Sequence, residues 1–124
     1  MLPFAATLVF AVALDWSTKA LVMAGYMPKL GRRCFRHPLG KFPPGLTAAL
    51  IILDVSLAFA ASFISSPALQ VALGLAAAGA VGNGVDQIRH GGVLDFIDLK
   101  VWPVFNIADA AIVTGTVLAS ITLI

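Results

Sequence analysis

Four stretches of this chain, about Leu2–Met27, Leu46–Ser65, Pro67–Val85 and Val104–Ile124, are apolar over the length a helix needs to cross a bilayer. That length is roughly 20 residues, set by a hydrocarbon core about 30 Å thick and a helical rise of about 1.5 Å per residue. With 60% of its 124 residues hydrophobic and only 11% charged, the chain has too much apolar surface for a soluble fold of this size. The sequence predicts an all-α integral membrane protein, a single domain over residues 1–124. Its architecture is a four-transmembrane-helix bundle with a short extended segment in the third connection. The first stretch is read as a retained span. It has no Lys or Arg ahead of its apolar run and carries Asp15 and Lys19 inside it, unlike a secretory signal.

Three connections join the spans. The first, Pro28–Gly45, is basic, with Lys29, Arg32, Arg33, Arg36 and Lys41; the second is a tight turn at Ser65–Ser66 closed by Pro67. The third, about Asp86–Pro103, is polar and contains glycine. Four spans put the first and third connections on one membrane face, and both termini with the short turn on the other. Asp15 and Lys19, at i,i+4 spacing, fall toward the loop end of the first span. Asn83 and Asp86 close the third span, Asp95 lies in the third connection, and Asn106 and Asp109 open the fourth. All of these fall near one face, whereas Asp54, mid-depth in the second span, stands apart. Ionisable residues are costly at membrane depth, so such a gathering is a functional-site hypothesis. Small residues at Ala72, Ala76, Ala80 and Gly84, and at Ala108, Ala111, Gly115 and Ala119, form two stripes that let helices pack closely.

Two carboxylates that approach closely share one proton, so one can activate water while the other donates a hydrogen bond to a developing oxyanion. Such a dyad needs no metal, no cofactor and no nucleophilic Ser or Cys. The chain offers none of these alternatives: Cys34 is solitary, His37 and His90 have no companions at ligand spacing, and no Ser sits near a His. Asp95 and Asp109 form a plausible pair, with Asp86 and Asp98 also available. Each residue also has a plainer reading. Asn106 and Asp109 have the spacing of a capping box, and Asp95 and Asp98 suit solvated loop positions. Asp15 and Lys19 suit an intrahelical pair with the lysine snorkelling to the interface. Trp102 suits the aromatic belt, and Trp16 suits helix packing.

The stretch Gly79–Asp109 resembles the C-terminal signature of bacterial lipoprotein signal peptidases, also called signal peptidase II. In that family a GN-x-x-D-R segment is followed by V-V-D-F and then F-N-x-A-D. The counterparts are Gly82-Asn83-Gly84-Val85-Asp86-Gln87, Val93-Leu94-Asp95-Phe96 and Phe105-Asn106-Ile107-Ala108-Asp109. In the first span, Asp15-Trp16-Ser17-Thr18-Lys19 is similar to the family's D-x-x-[TS]-K. The resemblance implies a four-span aspartyl protease with Asp95 and Asp109 as the dyad and Asn83, Asn106, Asp15, Lys19, Asp86 and Arg89 supporting the pocket. The implied activity is removal of the signal peptide from diacylglyceryl-modified prolipoproteins, with no cofactor and no metal. The implied partners are the lipidated prolipoprotein and membrane lipids. The chain departs from the pattern in carrying Gln87 where the family has arginine, with Arg89 two residues on. It also lacks the family's N-x-G-A-A-F segment after the first span and has a short connection between Asp95 and Asp109.

Loop basic residues favour the cytoplasmic side, which would place the site there. The resemblance instead implies the bacterial cytoplasmic (inner) membrane with the site on its periplasmic face, and the expectation follows the resemblance. Arg32, Arg33 and Arg36 also suit anionic lipid headgroups. Two alternatives come from other classes. One is a catalytically silent relative that binds lipoprotein or lipid, favoured by Gln87 and the missing segment. The other is a small ion-coupled membrane transporter using Asp15, Lys19 and Asp54. Nucleic-acid binding is not supported, since the formal charge of +2 is explained by loop topology. Neither oligomeric state nor a role for Cys34 is legible.

Overall fold

A computed structural model describes residues 1–25, 34–36, 44–63, 66–97, 99, 101 and 105–124, with 34–36 described through their backbone. Lys29, Arg32, Arg33, His37, Lys41, Ser65, Asp98, Lys100 and Trp102 lie outside the described residues, as do the side chains of Cys34 and Arg36. Four helices and two short strands follow in the order α1 (Leu2–Ala24), β1 (Cys34–Arg36), α2 (Pro44–Ser62), α3 (Pro67–His90), β2 (Val93–Asp95) and α4 (Ile107–Leu123). The expected all-α membrane bundle is what forms. Three of the helices are long and apolar enough to cross a membrane; α4, at 17 residues, is a shorter apolar helix.

The helix ends explain where the expected spans differ. α1 stops at Ala24 because Gly25 takes a left-handed conformation (φ 82°) and its N–H caps the last carbonyls. α3 starts after Ser66, whose hydroxyl accepts the Leu69 N–H, with Pro67 at the first position. It runs past the expected Val85 to His90, and Gly91 ends it at φ 69°. Asn83 and Asp86 therefore sit inside the helix. α4 begins only at Ile107 because Asn106 and Asp109 do form the capping box.

α3 is the central element and packs against each of the other three helices. Its partners approach closely because small residues line the contacts. Ala72, Ala77, Ala78, Ala108 and Ala111 are all buried, and a Cβ placed on Gly115 would lie 2.6 Å from the Ala72 carbonyl oxygen. Both small-residue stripes thus lie at helix contacts, with Gly84 meeting Ile51 of α2. Large apolar side chains such as Val9, Phe10, Ile52, Leu57 and Ile121 face outward instead, as lipid-facing side chains do.

The extended segment expected in the third connection is β2. Its partner β1, within the first connection, was not legible in the sequence. The strands pair antiparallel with Cys34 opposite Asp95, Phe35 opposite Leu94 and Arg36 opposite Val93. After β2 the chain doubles back: Ile97 and Phe105 exchange backbone hydrogen bonds at 2.8 and 3.0 Å. That return sets Asn106 against β2.

Candidate active site

The polar residues meet in two connected layers. The first lies between α1 and α3. The Lys19 ammonium sits 2.7 Å from Asp15 Oδ2 and 2.8 Å from Asp86 Oδ2, and it donates to the Gly82 carbonyl at 3.3 Å. The lysine therefore does not snorkel to the interface; it is 5% exposed and held inside the bundle between two carboxylates. This arrangement requires glycine at position 82, where a Cβ would collide with the Asp15 carboxylate. Each carboxylate also reaches onward to the backbone. Asp15 Oδ1 accepts the Ala108 N–H at 2.8 Å, at the positive end of the α4 dipole, and Asp86 Oδ2 accepts the Leu94 N–H at 3.2 Å. Thr18 turns its hydroxyl back onto the Leu14 and Asp15 carbonyls and stays within α1.

The second layer is organised by Asn106, which is fully buried. Its amide nitrogen faces three acceptors, Asp95 Oδ1 at 3.1 Å, the Leu94 carbonyl at 3.0 Å and Asn83 Oδ1 at 3.0 Å. Its side-chain oxygen accepts the Asp109 N–H at 2.8 Å, and its own backbone N–H donates to Asp109 Oδ2 at 3.2 Å. Asn83 completes the ring by donating to Asp109 Oδ1 at 2.8 Å. Both oxygens of Asp109 thus accept N–H groups, and one asparagine touches both Asp95 and Asp109. The plain reading of Asn106 as a helix cap and the functional one coincide in the same atoms.

A cavity of about 420 Å³ opens over this ring between α2 and α4, and its walls include Thr47, Ile51, Asn83, Gln87, Asp109 and Ile112. Asp109 and Asn83 face it, whereas Asp95 is 2% exposed behind Asn106. Arg89 does not line this cavity. It lines a groove on the α1 side of α3 together with Lys19, Asp86 and Trp16, whereas Gln87, two residues earlier, faces the cavity. Asp54, expected to stand apart, lines the same cavity as Asp109. Thr47, buried in the first turns of α2, was not singled out in the sequence; a polar side chain in an apolar span was its available signal. Among the described residues no group of three or more His, Cys, Asp or Glu side chains is placed to hold a metal ion.

A bundle of apolar helices that encloses buried aspartates, asparagines and a lysine beside a cavity defines a polytopic membrane protein with a polar interior site. The sequence profile of signal peptidase II matches residues 7–124, and the chain belongs to that family of peptidases. It is similar to a lipoprotein signal peptidase of Syntrophomonas wolfei, with 34% identity over 93% of this chain and 88% of that one. A lipoprotein signal peptidase of Pelotomaculum thermopropionicum is 58% identical over 52 residues, a stretch covering 42% of this chain and 34% of the relative. In fold, a bacterial membrane enzyme solved at 1.9 Å resolution superposes with a TM-score of 0.78 at 24% identity, over 98% of this chain and 92% of its own.

Proposed function

We propose that this protein is a membrane aspartyl endopeptidase that removes the signal peptide from diacylglyceryl-modified prolipoproteins, cutting before the lipidated cysteine. The observation that carries this reading is the position of Asn106, whose amide donates to Asp95 and whose side-chain oxygen caps the helix turn bearing Asp109. Two carboxylates held by one buried asparagine beside a cavity suit water activation without a metal. Asp109 faces the cavity with both oxygens acting as acceptors, so it takes the base role and removes a proton from water as the oxygen attacks the scissile carbonyl carbon. Asp95, carrying the proton of the pair, donates a hydrogen bond to the carbonyl oxygen as it becomes an oxyanion. The proton taken by Asp109 passes to the departing amide nitrogen as the C–N bond breaks, which restores the starting state.

Asn83 and Asn106 hold the pair, and Asp15, Lys19 and Asp86 anchor the segments that carry it. The site faces the periplasmic side of the cytoplasmic membrane in this reading, where lipidated precursors emerge, and the cavity between α2 and α4 admits them sideways from the bilayer. The test is cleavage of a diacylglyceryl-modified prolipoprotein by the purified protein and by Asp95→Asn and Asp109→Asn. Both substitutions are expected to abolish turnover while the folded bundle persists; full activity in either removes the dyad.

A second reading, a relative that binds lipoprotein without cutting it, draws on the burial of Asp95 and on Gln87 in the cavity wall where the family pattern has arginine. Capture of the same substrate by the parent protein without cleavage would establish it.

A further inference from the structure

The cavity beside Asp109 has one feature that the proposed hydrolysis does not use. Asp54 lines it from α2, and among the described residues its carboxyl makes no hydrogen bond or ion pair. The depth of Asp54 follows from the packing of α2 on α3. Ile51 seats against Gly84, next to Asn83, and α2 runs away from the site, so Asp54 lies three residues further in. That is about 4.5 Å, close to one helical turn below the Asn83–Asp109 pair. Three residues inward from Asn83 and Asp109, the walls at this depth are Ala80 and Ile112. Ile52, Leu53 and Leu57 on the same helix point to lipid. A carboxyl group in such surroundings is expensive unless it meets a polar partner, and none is supplied by the described residues.

We infer that Asp54 is a specificity-determining residue of the cleft whose carboxyl group hydrogen-bonds an ester carbonyl of the glyceryl diester carried by the substrate; this rests on the prolipoprotein reading above. The chemistry selects that partner. The signal-peptide segment that enters the bilayer is apolar in its side chains and, as a helix, satisfies its own backbone groups. The acyl chains offer no polar atom. The two ester carbonyls are what remains. They hang from the cysteine sulfur several single bonds from the scissile peptide bond, a reach comparable to the turn of helix separating Asp54 from Asp109. Covered by acyl chains, Asp54 is accommodated as the neutral acid, which donates one hydrogen bond, and an ester carbonyl accepts one. A substrate lacking that carbonyl leaves the acid buried and unpaired, and discrimination of this kind is typically large.

The experiment compares two lipopeptide substrates that differ only in the glyceryl linkage, a diacyl ester and the corresponding dialkyl ether, on the full-length protein, Asp54→Leu and Asp54→Asn. Cleavage and competition binding are both read. The expected result is a preference for the ester of about tenfold in kcat/KM and in affinity for the parent. The preference should be retained in part by Asp54→Asn, whose amide still donates, and fall to about unity in Asp54→Leu. Cleavage with the same ester-to-ether ratio in the parent and in Asp54→Leu overturns the inference and leaves the protease reading standing. Ester-dependent binding that requires Asp54, without cleavage by any form, keeps the inference and overturns the protease reading. Failure to bind either substrate overturns both.

Discussion

Asp15 accepts the backbone N–H of Ala108 at 2.8 Å, across 93 positions of the sequence. Asp86 accepts that of Leu94 at 3.2 Å, and Lys19 lies between the two carboxylates. Ala108 and Leu94 are the residues immediately before Asp109 and Asp95. A buried cluster of one cation and two anions therefore fixes the chain one residue upstream of each member of the proposed dyad. The first-span residues do not line the cavity: Asp15 holds the segment of Asp109 directly, and Lys19 holds that of Asp95 through Asp86.

Replacing Lys19 by Met should consequently be severe. It leaves Asp15 and Asp86 buried with no countercharge, and removing one partner of a buried ion pair costs about 3–5 kcal/mol. A large drop in thermal stability in detergent is expected, with turnover lost. Adding Asp15→Asn to Lys19→Met should recover part of the stability by removing one of the two stranded charges. Unchanged melting of Lys19→Met would mean that the cluster contributes nothing to the fold.

Helix approach makes an independent prediction. A Cβ on Gly115 would come within 2.6 Å of the Ala72 oxygen and 2.7 Å of the Ala76 nitrogen, both rigid backbone atoms. Gly115→Ala must push α4 from α3 and should cost about 1–3 kcal/mol, the range for overpacking. Gly45→Ala is the control, because nothing lies within 4 Å of a Cβ there. Equal melting temperatures for the two variants would contradict the packing of α3 on α4.

Arg89 and Gln87 should separate cleanly. Arg89 is exposed in the groove on the α1 side of α3, so Arg89→Gln should leave kcat/KM within about twofold, as surface changes do. Gln87 is 8% exposed, lines the cavity with Asp109 and donates to the Gly91 carbonyl at 3.5 Å. Gln87→Leu removes that donor and should lower kcat/KM about tenfold or more, measured on the same lipopeptide. A larger effect from Arg89 than from Gln87 would reverse the assignment of the two faces.

Several of these relationships are legible in the sequence alone. The spans follow from apolar run length, and the gathering of Asp15, Lys19, Asn83, Asp86, Asp95, Asn106 and Asp109 follows from placing each residue along its span. What escaped had physical reasons. Lys19 reads in the sequence as a pocket support or as a snorkelling partner of Asp15, and a lone i,i+4 pair gives no sign of its second carboxylate, because Asp86 arrives from another helix. That Arg89 lines the groove with Lys19 and Asp86 while Gln87 faces the cavity is not visible in sequence order, because the 100° turned per helical residue sends positions 87 and 89 to different faces. Asp54 was set apart by its depth in the span, whereas the cavity between α2 and α4 extends down to it. β1 was missed because three residues in a basic loop carry no periodicity, and its pairing depends on a partner more than fifty positions away.

Asn106 allows stability and chemistry to be measured apart. Its side-chain oxygen caps α4, and its amide nitrogen reaches Asp95, Leu94 and Asn83. Serine caps a helix about as well as asparagine but has no amide to donate, while alanine does neither and typically costs about 1 kcal/mol as a cap. Asn106→Ser should therefore melt closer to the parent than Asn106→Ala does. Its turnover should nevertheless fall by about a hundredfold or more, since Asp95 loses its donor and the Asn83 link is broken. If Asn106→Ser keeps full activity, the asparagine is a cap alone, and the tie between Asp95 and Asp109 is not what positions the dyad.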